Sequence, residues 1–165
     1  MDFNSIENIT NEGFSGFVKI KELNHNPIVI PSIKGVYLVL YLDKVAPEFL
    51  IKGTGGYFKG NDPNIEVIGL KNKWVNDTIV VYISKMGSEE VGATLQSRLK
   101  QYLKFGQGKA VWYYGGRYIW QIKNSENLVI CWKPLEKDDP NIIESEMLHQ
   151  FVKLYGTVPF ANHKG

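Results

Sequence analysis

The stretch NIIESEMLHQF, residues 141 to 151, places two glutamates one serine apart, and in a helix they face opposite ways. At about 100° per residue, Met147, Leu148, Phe151 and Tyr155 fall within roughly 60° of Glu144, while Glu146 points to the other side. A carboxylate on an apolar stripe must protonate, meet a cation or open onto a cleft. Its alternative is to be held near the helix N-terminus by the dipole, with its head in water. The cation best placed to lean over such a stripe is Arg98. A helix capped by Thr94 and stopped by Gly106 puts Leu95, Leu99, Tyr102 and Leu103 on one side, Arg98 at its edge, and Lys100 and Lys104 well away. Two phenols, Tyr37 and Tyr82, lie in apolar runs that read as strands.

The basic residues are unevenly spread. The net charge is only +2, yet residues 91 to 122 hold no Asp or Glu and carry Arg98, Lys100, Lys104, Lys109 and Arg117. Within that segment KAVWYYGGRYIW interleaves cations with Trp112, Tyr113, Tyr114, Tyr118 and Trp120. Such a mixture suits phosphates and unstacked bases, and equally a solvated basic face beside ordinary strand aromatics.

The elements that must position these groups follow from periodicity. GVYLVLYL (35 to 42) and TIVVYISK (78 to 85) are β-branched and aromatic runs bounded by turn formers, and RYIWQI and LVICWKPL read as further strands. Asp139 as cap, Pro140 at the first position and Gly156 at the stop predict a helix carrying Glu144. GFVKIKEL is either an edge strand or a short helix. A chain of 165 residues, 44% hydrophobic, is long enough for one core. The single cysteine, Cys131, permits no internal disulfide and sits in the run LVICW, where a buried, inert thiol in a reducing compartment is expected. Neither an 18-residue apolar window nor a signal-peptide pattern is present, so a cytoplasmic protein off the membrane is expected.

Other chemistries find little support. GTGGYFKGNDPN is not a phosphate loop, because Phe58 stands before Lys59 where the pattern needs glycine; it reads as turns, or else as a DNA-contacting loop carrying Lys52, Tyr57 and Lys59. His25, His149 and His163 lack ligand spacing. Cys131 has no histidine near it in sequence to activate it.

Two strand tyrosines, an arginine on the following helix and a glutamate on a later one together resemble the GIY-YIG nucleases. The two name-giving motifs appear here as Gly35-Val36-Tyr37 and Tyr82-Ile83-Ser84, with Ser84 where the family has glycine. LQSRLKQY matches the arginine helix, Glu144 followed by Met147-Leu148 matches the glutamate helix, and Asn162 in PFAN matches an asparagine near the end of the family domain. The resemblance implies an α/β (α+β) fold, a small, mainly antiparallel sheet flanked by helices. Its domain spans residues 33–165, with an insertion at about 43–77 that lengthens the connection between the motifs, behind an extension of residues 1–32. It also implies a metal-dependent endonuclease acting on DNA, or on RNA, with Mg²⁺ or Mn²⁺ held through Glu144. Arg98 would hold the scissile phosphate, Tyr37 would position and deprotonate the water, and Tyr82 beside it would orient water or phosphate. Lys85, Lys100, Lys104, Lys109, Arg117 and Asn162 would contact substrate. The alternatives are a nucleic-acid-binding module that has lost cleavage and a protein-interaction domain.

Overall fold

The computed structural model describes residues 1–87, 92–111 and 114–163. Trp112 and Tyr113 of the aromatic-basic segment, and most of the loop after the second tyrosine strand, lie outside them. The fold is α+β. Its centre is a four-stranded antiparallel sheet of β1 (Ser15–Lys19), β2 (Gly35–Leu40), β3 (Val80–Met86) and β4 (Val129–Pro134), in the order β1-β4-β2-β3. Every residue of β2 is buried, as a strand with neighbours on both edges and helices on both faces must be.

Strand alternation sorts the core into two layers. Tyr37, Val39, Tyr82, Ile130 and Trp132 belong to the layer that contains Leu95, Leu99, Tyr102 and Leu103 of α4 (Leu95–Gly106). Val36, Leu38, Leu40, Ile83 and Cys131 belong to the layer that contains Met147 and Phe151 of α5 (Pro140–Tyr155). Helices α4 and α5 therefore cover opposite faces.

Residues 1–32 are built into this core. Helix α1 (Ile6–Asn11) and Phe3 pack on the α5 side, where the Phe3 and Phe151 rings meet edge to face at 5.1 Å. GFVKIKEL divides between the two forms expected for it: its first residues finish β1, and α2 (Ile20–His25) begins directly after. The segment of about residues 43–77 between β2 and β3 contains α3 (Val67–Lys73) and is fastened by Gln121. That buried amide donates to the carbonyls of Leu50 and Ile65 and accepts from the Ile65 N–H.

Two local expectations are corrected. RYIWQI is not a strand: Arg117–Gln121 forms a 3-10 helix entered through Gly116 at φ +69°. Tyr118, Ile119, Trp120 and Gln121 are all buried, which a two-residue alternation at a sheet surface does not give. Helix α4 ends at Gly106 as expected, but Gly106 is its last helical residue rather than a left-handed stop, and a Cβ there would meet the Trp120 ring at 2.5 Å. The left-handed residue is Gly108, at φ +83°. Thr94 caps α4 as expected, its hydroxyl accepting from the Ser97 N–H. Asp139, Pro140 and Gly156 bound α5 as expected.

Candidate active site at the edge of the sheet

Antiparallel register brings the two tyrosine motifs side by side. Tyr37 pairs with Ser84 and Val39 with Tyr82, so both phenols point to the α4 face from neighbouring strands. Their ring centroids are 6.1 Å apart, edge to face. Tyr102 completes a trio, at 6.3 Å from the Tyr37 ring and 5.6 Å from the Tyr82 ring. Its hydroxyl donates to the Gly116 carbonyl at 2.6 Å. The trio is closed to solvent, with Tyr37 0% and Tyr82 6% exposed. Gly116 lies so near Tyr82 that a Cβ would stand 2.5 Å from its Cε1.

Arg98 precedes Tyr102 by one helical turn and so lies on the same side of α4, at the end of the trio nearer the helix N-terminus. It is half-buried. Glu144 approaches from the other face of the sheet. The helical periodicity separates the two glutamates as expected: Glu144 is half-buried and Glu146 exposed. Burial raises the Glu144 carboxyl pKa above the usual carboxylate range, against the pull of Lys85 and Arg98, whose positive charges both reach it. Lys85 is on β3, the edge strand, opposite Val36 and therefore on the α5 face. An arginine from α4 and a glutamate from α5 are thus electrostatically coupled although their helices cover opposite faces, with Lys85 on the edge strand β3.

The remaining substrate-contact candidates do not gather there. Lys100 is half-buried and Lys104 exposed, and each is set away from the Arg98 side of α4 by the helical repeat. Lys104 occupies the last turn, where a cation complements the helix dipole. Lys109 is exposed on the loop after α4. Arg117 is stacked elsewhere, its Cζ 4.0 Å from the Tyr114 ring centroid and 4.9 Å from that of Tyr118.

Asn162 is placed beside the site and is occupied. Its side-chain oxygen accepts from the Ile83 N–H at 3.0 Å, and its side-chain nitrogen donates to the Ile83 carbonyl at 2.9 Å. With the Ala161 N–H on the Val81 carbonyl at 2.8 Å, this gives the outer edge of β3 a short substitute partner next to Tyr82. The residue that sequence reasoning missed is Tyr102. Its one-turn offset from Arg98 was the available signal.

Among the described residues no three His, Cys, Asp or Glu side chains are grouped to hold a metal ion. A hard divalent ion can be held through a single carboxylate with waters and substrate phosphates. Glu144 fits that minimal donor set, though the adjacent cations favour an ion only when phosphate adds negative charge. Cys131 is buried, and burial pushes its thiol pKa far up, as for an inert core cysteine. Among the described residues no helix is long and apolar enough to cross a membrane. No family model matches the chain, and neither the curated proteins nor the solved structures include a match to it.

Proposed function

We propose that the protein is a metal-dependent endonuclease hydrolysing phosphodiester bonds in DNA. The observation that carries this reading is the juxtaposition of the half-buried Glu144 carboxylate with Arg98 and Lys85 at the edge of β3, beside the paired phenols. It is supported by the chain order of a tyrosine strand, a second tyrosine strand, an arginine helix and a glutamate helix, in the GIY-YIG pattern.

In this reading Arg98 binds the scissile phosphate through paired guanidinium donors, and Lys85 adds a point charge. Glu144 holds Mg²⁺ or Mn²⁺. When bound, that ion supplies charge neutralisation for the departing oxygen. Tyr82, 6% exposed against 0% for Tyr37, is the phenol nearer solvent and would orient water or phosphate. Tyr37 lies behind it, so its use as a base requires either a relay through the Tyr82 hydroxyl or displacement of the Tyr82 ring.

Incubation of supercoiled plasmid with Mg²⁺ or Mn²⁺ tests the proposal. Nicking by wild type, lost in Glu144→Ala and Arg98→Ala, supports it; no nicking by wild type with either ion refutes it. The complete burial of Tyr37 favours one other reading, a nucleic-acid-binding module without cleavage. Salt-sensitive DNA binding by a wild type that never nicks identifies that case.

A further inference from the structure

A second group of cations stands apart from Glu144. Nη1 of Arg117 lies 2.7 Å from Nε2 of His163, and since arginine only donates, the imidazole accepts there and leaves its Nδ1 as a donor. The His163 ring meets Tyr118 edge to face at 5.1 Å, and Nζ of Lys73 lies 5.6 Å from the Tyr118 ring centroid. The rings of Tyr114 and Tyr118 hold the Arg117 guanidinium by stacking, and its buried Nε–H meets no acceptor among the described residues. Among the described residues no carboxylate is seen in an ion pair with Lys73, Arg117 or His163. Burial, followed by the nearby charges of Arg117 and Lys73, lowers the His163 pKa. A cleft of about 450 Å³ opens beside the group, lined in part by Lys73, Asn72, Trp74, Phe160 and Asn162.

Two cations from separate parts of the chain, Lys73 and Arg117, are brought to one neutral imidazole, and an anion joining them would offset the cost of holding like charges together. A planar guanidinium fixed between rings, a mobile ammonium and an imidazole N–H form a donor set for phosphate oxygens. The group is also tied to the candidate active site. Gly116, the neighbour of Arg117, packs on Tyr82, and Asn162, the neighbour of His163, grips Ile83.

We propose that Lys73, Arg117 and His163 form a phosphate-binding subsite that holds a non-scissile phosphate of the nucleic-acid strand engaged at Arg98. The identity of the ligand rests on the nuclease reading; the subsite chemistry does not. Lys73 comes from the segment between β2 and β3, which thereby acquires a role in holding substrate.

Fluorescence anisotropy of a labelled DNA duplex and a labelled single strand, each over a salt series, tests this with wild type, Lys73→Gln, Arg117→Gln and the remote control Lys21→Gln. The two subsite variants should each weaken binding by about 5-fold and lower the slope of log affinity against log salt by about one, irrespective of base sequence. Lys21→Gln should match wild type. Lys73 is exposed, so its variant decides the matter even if loss of the Arg117 stack unfolds the chain. Binding by Lys73→Gln within twofold of wild type with an unchanged slope overturns the subsite, as does a wild type that binds no DNA. The two proposals fail separately. Glu144-dependent plasmid nicking with unaltered binding by the subsite variants leaves the nuclease reading and removes the subsite. Binding that depends on Lys73 and Arg117 without nicking does the reverse.

Discussion

Asn162 offers the sharpest prediction because its two bonds do one identifiable thing. A side-chain amide takes the place of a neighbouring strand, satisfying both the N–H and the carbonyl of Ile83 on the outer edge of β3, at 3.0 and 2.9 Å. Each such bond contributes about 1 kcal/mol net, and more where removal leaves a buried group unpaired. Asn162 and its bonds are only partly buried, so water replaces some of what Asn162→Ala removes. The expected loss is about 2 kcal/mol, or a fall in Tm of about 4–8 °C for a chain of this size. Asn162→Asp discriminates further. It keeps the acceptor for the Ile83 N–H but turns a second oxygen toward the Ile83 carbonyl, so at neutral pH it should be no more stable than Asn162→Ala. Below about pH 4 the protonated acid can donate, and part of the difference from wild type measured at the same pH should be recovered. Thermal melts by circular dichroism between pH 3.5 and 7.5 read this directly. The reasoning is refuted if Asn162→Ala melts within 1 °C of wild type, or if the aspartate variant is as stable as wild type at neutral pH. Measured below its melting temperature, DNA affinity in Asn162→Ala should change less than about twofold, as for a residue that holds the edge strand rather than phosphate.

Two further predictions bear on the same region. Glu144→Gln should abolish nicking while raising Tm by about 1–3 °C at neutral pH, since it removes a carboxylate whose burial outweighs Lys85 and Arg98; the half-exposed setting keeps the gain small. Because the folded pKa is raised, the penalty is absent below the unfolded value near pH 4 and grows as pH rises through the folded one. The advantage over wild type should therefore vanish at acid pH, and a constant offset from pH 4 to 8 in thermal melts would contradict it. Gly116→Ala should destabilise by at least about 2 kcal/mol in urea unfolding, because φ is +69° and the new Cβ would stand 2.5 Å from the Tyr82 ring and 2.7 Å from the Tyr102 hydroxyl.

The parts of the fold that the sequence made legible are those governed by local rules. Helix α5 was readable because its cap, first residue and stop are all of specialised types, and the same wheel that predicts it separates half-buried Glu144 from exposed Glu146. Strands β2, β3 and β4 were readable from continuous β-branched and aromatic runs. Non-local contacts hid the rest. Gly106 marks the end of α4, yet its lack of a side chain serves the close approach of Trp120, 14 positions later, and the left-handed turn falls at Gly108. Arg117–Gln121 has strand-like composition, but the turn at Gly116 directs it onto Tyr102 and Phe160 rather than into the sheet. Pairing of β1 with β4 joins residues more than 100 positions apart, across a register shift between Gly16 and Val18, and no local pattern signals it. For the site, residue types and helical phase suggested Arg98 and Glu144. The coupling of the two across opposite faces of the sheet required knowledge of which face each helix covers.

The outer edge of β3 also limits how a nucleic-acid chain could lie on the protein. An edge strand presents unpaired peptide groups that invite another chain, and proteins commonly cover them. On β3 the cover consists of Ala161 bonded to Val81 and Asn162 bonded to Ile83. It ends two residues short of Lys85, the residue whose charge reaches Glu144. One residue past Asn162 is His163, in contact with Arg117. The two cationic groups thus flank a single clamp, Lys85 with Arg98 beyond one side of it and His163 with Arg117 beyond the other. In the proposed function a phosphodiester chain crossing the clamp would meet Arg98 and Glu144 on one side and the stacked guanidinium on the other. It would do so without requiring Asn162 to release Ile83. The clamp would then fix the separation of the two phosphate sites, so that its loss would disturb the register of cleavage more than the affinity for DNA.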